Sequence, residues 1–153
     1  MNEPRRQDQI PARIETVIVG EQLGPVEIDI REEDVEAYGD NVQDGGSLLT
    51  LADGRHAAPA TITAGDYVKV MGVKYSPAGA IHTKAAHEFK KAIVAPAKLS
   101  ASGVIVDKYI RRGREFVVIE SVTVDETGAE VVRSRNTWMM NPSVHHPESE
   151  NTR

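Results

Sequence analysis

The second half of the chain is a succession of strand-like runs, and this feature constrains the fold more than any other. Runs rich in β-branched or alternating residues cover 81–93, 103–110, 115–124 and 129–140. The last three are separated by turn sequences, RRG at 111–113 and DETG at 125–128. Because short turns join antiparallel neighbours, we predict an antiparallel meander. Strict alternation in the first run places Ile81, His87 and Phe89 on one face.

The first half supplies one strand and two helices. VEIDI, ending at Ile30, alternates as a strand from Pro25 onward. REEDVEAYGD has acids in its first turn and predicts a short helix that ends at Gly39, which can adopt a left-handed conformation. PATITAGDYVKVMG, from Pro59 to Gly72, predicts one helix with an apolar face of Ala64, Tyr67, Val68 and Met71. Gly65 inside it costs about 1 kcal/mol relative to alanine, which indicates a close backbone approach there.

One strand, a central helix and four further strands give an α+β order that fits a single domain of 153 residues. The polar ends, residues 1–13 and 142–153, are predicted to be flexible and leave a domain at 14–141. His145 and His146 form an exposed pair without a third ligand, so we predict no metal site.

Composition excludes several function classes. The net charge is −5, and the arginines at 111–114 surround a glycine, so we predict no nucleic acid binding. No window approaches the ~20 apolar residues of a membrane span. The first dozen residues lack the apolar core of a secretory signal, and cysteine is absent; both favour the cytoplasm. Phosphate loops and nucleophile elbows are also missing from the sequence.

Motifs along most of the chain occur in the order of one known family. The closing half carries His82, Phe89, Val-Asp-Lys-Tyr at 106–109, Gly113, and a long run from Asp125 to Thr137. Upstream, EEDVEAYGDN leads into a Gly-Asp pair and HAAPATIT opens the second helix. Together, over residues 14–141, they resemble MaoC-like dehydratases, especially the N-terminal MaoC dehydratase branch. The resemblance implies a single hot-dog fold, an antiparallel five-stranded sheet wrapped around a central helix.

One motif of that family is incomplete here. The resemblance implies a signature Asp-x-Asn-Pro-x-His, whose Asp and His hold the water that adds to an enoyl-CoA double bond. Asp40 matches the Asp, but Val42, Gln43 and Gly45 stand where Asn, Pro and His would be. The chain is therefore either a modified enzyme or the non-catalytic half of a hetero-oligomer whose partner carries the full signature.

Acid–base chemistry depends on the remaining polar residues near this motif. We predict Asp40 as the acid–base residue, with the alternative that it caps backbone N–H groups of the following loop. Asn41 either orients a water molecule or forms an Asx turn. His56, just before the second helix, either replaces the missing histidine or is an exposed loop residue. His82 is predicted to make a structural hydrogen bond, and His87 to be partly buried.

Binding of the thioester is predicted at the second helix. Backbone N–H groups at Thr61, Ile62 and Thr63 are expected to hold the thioester oxygen, unless the threonine hydroxyls cap them. Tyr67 either lines an acyl pocket or belongs to the core.

Two arginines on the last strand are candidates for binding CoA phosphates. Arg133 and Arg135 share a face, and the alternative is an ordinary solvated strand surface. Trp138 and Met140 lie on the opposite face, where we expect core or interface.

The resemblance implies an (R)-specific enoyl-CoA hydratase or 3-hydroxyacyl-thioester dehydratase, or a subunit of one. A CoA or acyl-carrier thioester would be the substrate, and no cofactor is expected. Pairing of such domains implies a homodimer or a heterodimer with a second MaoC-like chain. Two alternatives remain: a hot-dog thioesterase that uses Asp66 in the central helix, and an acyl-thioester-binding protein without turnover.

Overall fold

The computed structural model describes residues 9–42 and 50–142. The substituted positions Gln43 and Gly45, and the histidine pair at 145 and 146, lie outside the described residues. Within the described ranges, strands are numbered β1 to β9 and helices α1 and α2. The strands are β1 Ile10–Pro11, β2 Gln22–Ile30, β3 Ala57–Ala58, β4 Tyr75–Ser76, β5 Ile81–Phe89, β6 Ile93–Val94, β7 Ala97–Arg111, β8 Arg114–Asp125 and β9 Glu130–Met140. The helices are α1 Glu32–Asn41 and α2 Asp66–Met71.

A five-stranded antiparallel sheet in the order β2-β7-β8-β9-β5 forms the body of the protein. The turn between β7 and β8 places Arg112 and Gly113 at positive φ, 52° and 69°, as a tight hairpin with right-handed strand twist requires. Asp125 closes the next turn, because its side chain accepts the N–H groups of Thr127 and Ala129. The predicted five-stranded antiparallel sheet is confirmed, and β7, β8 and β9 form a meander. The first predicted run, β5, does not join this meander next to β7, because it pairs with β9 at the far edge.

The central helix is shorter than predicted. A 3₁₀ turn covers Ala60–Thr63, and α2 begins only at Asp66. The residues that α2 buries are Asp66, Tyr67, Val70 and Met71, whereas Val68 is 37% exposed. The expectation that Val68 belongs to the apolar face was therefore wrong, because Val68 lies about 100° around the helix from its neighbour Tyr67 and falls outside the buried face.

The close approach predicted at Gly65 occurs elsewhere. A Cβ added at Gly65 would meet nothing within 4 Å, and Gly65 lies at the break between the 3₁₀ turn and α2. A Cβ added at Gly103 on β7 would lie 2.9 Å from the Glu120 carbonyl oxygen and 3.0 Å from Val70 Cγ1. Gly103 is thus the position that lets α2 pack closely on the sheet.

Helix α1 continues past its predicted end. Asp34 accepts the backbone N–H of Arg31 and closes the first turn. Gly39 is buried inside the helix and is not left-handed; the last turn closes with the Val42 N–H on the Tyr38 carbonyl. The predicted glycine stop was wrong, because Gly39 is buried within α1, which continues to Asn41.

An extra residue in β5 changes which side chains share a face. His82 pairs with Trp138 and Lys84 with the adjacent Thr137, so Thr83 forms a β-bulge. Ile81 then lies opposite Met139, whereas His87 lies opposite Ser134 on the other face. The predicted common face of Ile81 and His87 was wrong for this reason, and β5 ends at Phe89 instead of continuing to residue 93.

The folded chain begins before the predicted boundary at residue 14. Strand β1 pairs in parallel with β4, and the Ala12 N–H donates to the Ser76 carbonyl at 3.0 Å. Ala12 is buried in the core. No helix within residues 9–42 or 50–142 has the length and apolar character needed to cross a membrane.

Candidate functional site

The end of α1 meets the 3₁₀ turn through one hydrogen bond between side chains. Tyr38 Oη and Thr61 Oγ1 lie 2.6 Å apart. Tyr38 and Val35 lie one turn apart, and Val35 is fully buried, so its packing fixes the direction of the helix. The structure therefore brings the Asp40 end of α1 to the predicted thioester-binding turn.

The predicted acid–base residues occupy accessible positions. Asp40 and Asn41 are exposed in the last turn of α1. His56 is half-buried, bridges to Thr50, and accepts the Ala95 N–H on its carbonyl oxygen at 3.2 Å. Since β3 begins directly after His56 and pairs with β6, the histidine is attached to a hydrogen-bonded segment instead of a free loop.

The predicted oxyanion donors lie in the 3₁₀ turn. The Ile62 N–H already donates to the Pro59 carbonyl at 2.9 Å. The Thr63 hydroxyl donates to the Ala60 carbonyl at 3.0 Å, and Thr61 contacts Tyr38. Among the described residues, no threonine hydroxyl accepts one of the N–H groups of this turn. Because the turn and α2 are both short, little helix dipole is available to assist.

A second polar group of residues lies between α2 and the inner face of the sheet. Tyr67 Oη is 3.0 Å from His82 Nδ1, and His82 Nε2 is 3.0 Å from Asn136 Oδ1. The Tyr67 and His82 rings both lie within 6 Å of the Trp138 ring, centroid to centroid. We call Tyr67, His82, Asn136 and Trp138 the inner cluster. Tyr67 is 6% exposed, and burial raises the pKa of its hydroxyl.

Sequence reasoning named Tyr67, His82 and Trp138 separately but did not bring them together as one cluster. His82 makes hydrogen bonds as predicted, and Trp138 lies opposite the arginine face as predicted. Asn136, however, was not singled out, although it and Ser134 share the face of Trp138 by simple alternation. Two polar residues on the face of a strand that carries a buried tryptophan were the available signal.

A second histidine continues the polar surface along β5. His87 Nδ1 lies 2.7 Å from Ser134 Oγ. Partial burial and the nearby His82 lower the pKa of His87. The prediction of a partly buried, hydrogen-bonded His87 is confirmed.

Asp66 is a buried carboxyl group at the start of α2. It is 3% exposed and accepts a hydrogen bond from Thr123 Oγ1 at 3.1 Å, while Lys69 Nζ lies 4.0 Å away. Burial raises the pKa of Asp66 to about 6, against the opposing effects of Lys69 and Thr123. Such a carboxyl can exchange a proton near neutral pH.

Arg133 and Arg135 lie on the outer face of the sheet, away from α2. Arg133 pairs with Glu130 and Arg135 with Glu120, and each arginine is about half exposed. A shallow cavity of about 280 Å³ runs beside them and includes Glu88 and Glu120 in its lining. The sheet therefore separates the arginines from Tyr67, and carboxylates accompany both of them.

The described residues contain no set of side chains that could ligate a metal ion. Residues 9–42 and 50–142 contain no group of three or more His, Asp or Glu side chains placed to hold an ion.

Solved structures with the same architecture were found, although neither the family models nor the curated proteins give a match. The R-hydratase PhaJ1 from Pseudomonas aeruginosa is 14% identical, with a TM-score of 0.70 over 92% of this chain and 95% of that one. The MaoC-like dehydratase from Rhodospirillum rubrum is 14% identical, with a TM-score of 0.65 over 90% and 99%. A chain of the HadBC complex, a 3R-hydroxyacyl-ACP dehydratase from Mycobacterium tuberculosis, is 20% identical, with a TM-score of 0.65 over 82% and 99%. The chain has the hot-dog fold of the MaoC-like dehydratases and (R)-hydratases.

Proposed function

We propose that this protein acts on acyl thioesters as an (R)-specific enoyl-CoA hydratase or 3-hydroxyacyl-thioester dehydratase, or as one subunit of such an enzyme. The observation that carries the proposal is the fold: α2 lies against a curved five-stranded sheet, as in solved (R)-hydratases and MaoC-like dehydratases over most of both chains. A CoA or acyl-carrier thioester is the proposed substrate, without a cofactor, and the cytoplasm remains the predicted location.

The incomplete signature favours the subunit form of the proposal. Hydration needs a base for water and an acid for the α-carbon, and Asp40 alone matches one half of the expected pair. Asn41 is proposed to orient the water, and His56 is the candidate for the second proton-transfer group. If neither suffices, a second MaoC-like chain supplies the histidine; HadBC is a similar fold solved as a complex.

Following the loss of conjugated absorbance of crotonyl-CoA tests this proposal. The purified chain is assayed alone and with any MaoC-like chain encoded beside it. Turnover by the chain alone, abolished by Asp40→Asn and reduced by His56→Gln, identifies a modified working site. Turnover only in the mixture identifies the subunit role, and no turnover in either mixture refutes hydratase activity.

We propose strand β5 as the pairing edge of a homodimer or heterodimer. It is one of the two edge strands of the sheet, and eight of its nine residues are exposed, including Ile81 and Phe89. A long exposed edge with apolar side chains is a template for pairing with another strand. Antiparallel pairing about the middle of β5 would bring Ala85 or Ala86 of two copies together.

Sedimentation of two single variants tests this interface. Ala86→Lys places like charges next to each other across a self-paired β5 edge, so we expect dissociation toward monomer. Glu27→Lys changes the charge on the opposite edge strand, β2, and is expected to leave the assembly intact. If Ala86→Lys and the unmodified chain sediment equally, β5 is not the pairing edge.

A thioesterase is the second candidate, and the buried Asp66 favours it. A carboxyl with a raised pKa beside the central helix is a possible base for water at a thioester carbonyl. Release of free thiol from acyl-CoA, lost in Asp66→Asn, would support this candidate over hydration. An acyl-thioester-binding protein would show affinity for the ester without thiol release or loss of the double bond.

A further inference from the structure

The inner cluster contains two buried hydrogen-bond donors without a partner among the described residues. They are Asn136 Nδ2 and Trp138 Nε1, on residues that are 0% and 7% exposed. Both residues lie on β9 two positions apart, so they share the inner face of the sheet. Buried donors in folded proteins are nearly always paired, so two such donors on one face mark a place where a ligand can accept hydrogen bonds.

The other polar atoms of the cluster satisfy one another. Asn136 Oδ1 can only accept a hydrogen bond, so His82 Nε2 carries a proton and donates this hydrogen bond to the oxygen. In a neutral imidazole Nδ1 then accepts, and the Tyr67 hydroxyl donates its proton to it. The Tyr67, His82 and Asn136 side chains therefore fix each other's orientation, and the donors left over are Asn136 Nδ2 and Trp138 Nε1.

The choice of amide orientation does not remove this surplus. Exchanging the oxygen and nitrogen of Asn136 would leave its oxygen unpaired instead of its amino group. Trp138 Nε1 has no such alternative, because indole can only donate. At least one donor on this face requires an acceptor in either arrangement.

We propose that the inner cluster is a recognition site for an acceptor oxygen, a carbonyl, carried by the acyl part of the ligand. This inference rests on the proposed binding of acyl thioesters and narrows the acyl group to one that bears a second oxygen. The rings of Tyr67, His82 and Trp138 supply flat apolar surfaces, and Asn136 and Trp138 supply the donors. A plain alkyl chain would leave those donors buried and unpaired, which is unfavourable.

The surrounding surface agrees with a polar acyl group. Ser121 and Ser134 are paired across β8 and β9 on the same inner face, and both are buried. His87 lies beside Ser134 on β5. The inner face next to β5 is thus polar where a site for long alkyl chains would be lined by aliphatic side chains.

Calorimetric titration with two thioesters of equal length tests the proposal. Butyryl-CoA and acetoacetyl-CoA both carry four acyl carbons and differ by one carbonyl oxygen. We expect acetoacetyl-CoA to bind about tenfold more tightly to the chain, or to its complex with a partner chain. Trp138 is the only tryptophan, so its fluorescence should change on binding and report contact at the cluster.

Variants of Asn136 separate this site from general affinity for CoA. Asn136→Asp keeps the size and the acceptor toward His82 but removes the amino group; Asn136→Leu removes both. Both are expected to reduce the preference for acetoacetyl-CoA to twofold or less. Glu27→Gln, an exposed change on the opposite edge strand β2, should leave the preference intact; thermal melting confirms folding of each variant.

The outcomes distinguish the two levels of the proposal. Equal affinity for both thioesters, or a preference that survives in both Asn136 variants, overturns the recognition site while thioester binding stands. Absence of binding by either thioester overturns the proposed function itself, and the inference that rests on it.

Discussion

The two halves of the inner sheet face differ sharply in chemistry. On β2 and β7, the side chains facing α2 are apolar and buried, among them Ile28, Leu99 and Ile105. On β9 and β5, the same face carries Asn136, His82 and other polar groups, and β5 is open to solvent. Helix α2 packs mainly on β2, β7 and β8. We therefore expect the first half to contribute more to stability, and we place the proposed ligand and partner binding in the second half, although Trp138 and Met140 on β9 also belong to the core.

The difference shows how one small domain can carry both a core and a site. The apolar half needs only close packing, for which Gly103 permits the approach of Val70. The polar half uses side chains that lower stability unless they are paired. Separating them on one sheet keeps substitutions at the proposed site from removing the core, and four substitutions test this separation.

The largest effect is expected for Ile105→Ala. Ile105 is fully buried in the apolar half, so its truncation should lower the free energy of unfolding by about 3 kcal/mol. Urea unfolding followed by circular dichroism measures this loss. His87→Ala in the polar half serves as the comparison and should cost less than about 1 kcal/mol. Similar losses of unfolding free energy in both variants would contradict the proposed division of the sheet into an apolar and a polar half.

Asp66→Asn should raise stability at neutral pH. The folded-state pKa of about 6 exceeds the ordinary value of 3.8, so the folded state binds more protons between these values. The stability of the unmodified chain should therefore fall as pH rises from about 4 to 6 and then level off. The substitution removes this loss, at most about 3 kcal/mol at pH 7, and the difference should vanish near pH 4.

Melting temperatures across pH 4 to 8 check this dependence. Asp125→Asn is the control of opposite sign, because Lys91 and Thr127 lower the pKa of Asp125. Its substitution should reduce stability at neutral pH instead of raising it. A gap between Asp66→Asn and the unmodified chain that does not change with pH would contradict the assigned pKa.

Gly103→Ala should cost about 1–2 kcal/mol, because the added methyl group meets the Glu120 carbonyl and Val70. Gly65→Ala is the matched substitution in open space, at a right-handed φ of −96°. It should leave stability unchanged or raise it by about 0.5 kcal/mol. Chemical denaturation of the pair measures both values; equal effects would mean that Gly103 does not limit the approach of α2.

The smallest change in stability is expected for Asn136→Leu. Replacing a partly paired buried amide by an apolar side chain of similar size should change the free energy of unfolding by less than about 1 kcal/mol. The same variant is expected to lose selectivity between thioesters. A large loss of stability would show that Asn136 serves the core, and would move the boundary between the two halves toward β5.

Much of the fold could be predicted because long-range order follows from local patterns. Alternation and turn residues located β7, β8 and β9, and the short turns between them predicted their pairing. The places of β2 beside β7 and of β5 beside β9 are non-local pairings, which local patterns do not define. Helix ends were less predictable: Gly39 and Gly65 both have the residue type of a terminus or a close contact. The surrounding structure decides that Gly39 is buried within α1 and that Gly65 lies at the break between the 3₁₀ turn and α2.

The candidate site was harder to predict than the fold. Asp40 and His56 are suggested by motif positions, but their mutual geometry depends on a loop that sequence patterns do not define. The inner cluster depends on contacts between residues 54 positions apart, His82 and Asn136. Strict alternation also assigned His87 to the face of Ile81, because periodicity cannot indicate a β-bulge.

The bulge at Thr83 determines which single-residue deletions strand β5 can tolerate. His82 and His87 are five residues apart and share a face only because Thr83 is extra; its hydroxyl donates to the Thr137 carbonyl at 3.0 Å. Loss of the Thr83 codon would leave a regular strand with both histidines still facing inward. Loss of a codon between Thr83 and His87 would move one of them outward unless the bulge disappeared as well. Within this strand, a deletion is therefore tolerated or harmful according to where it falls, although its length is the same.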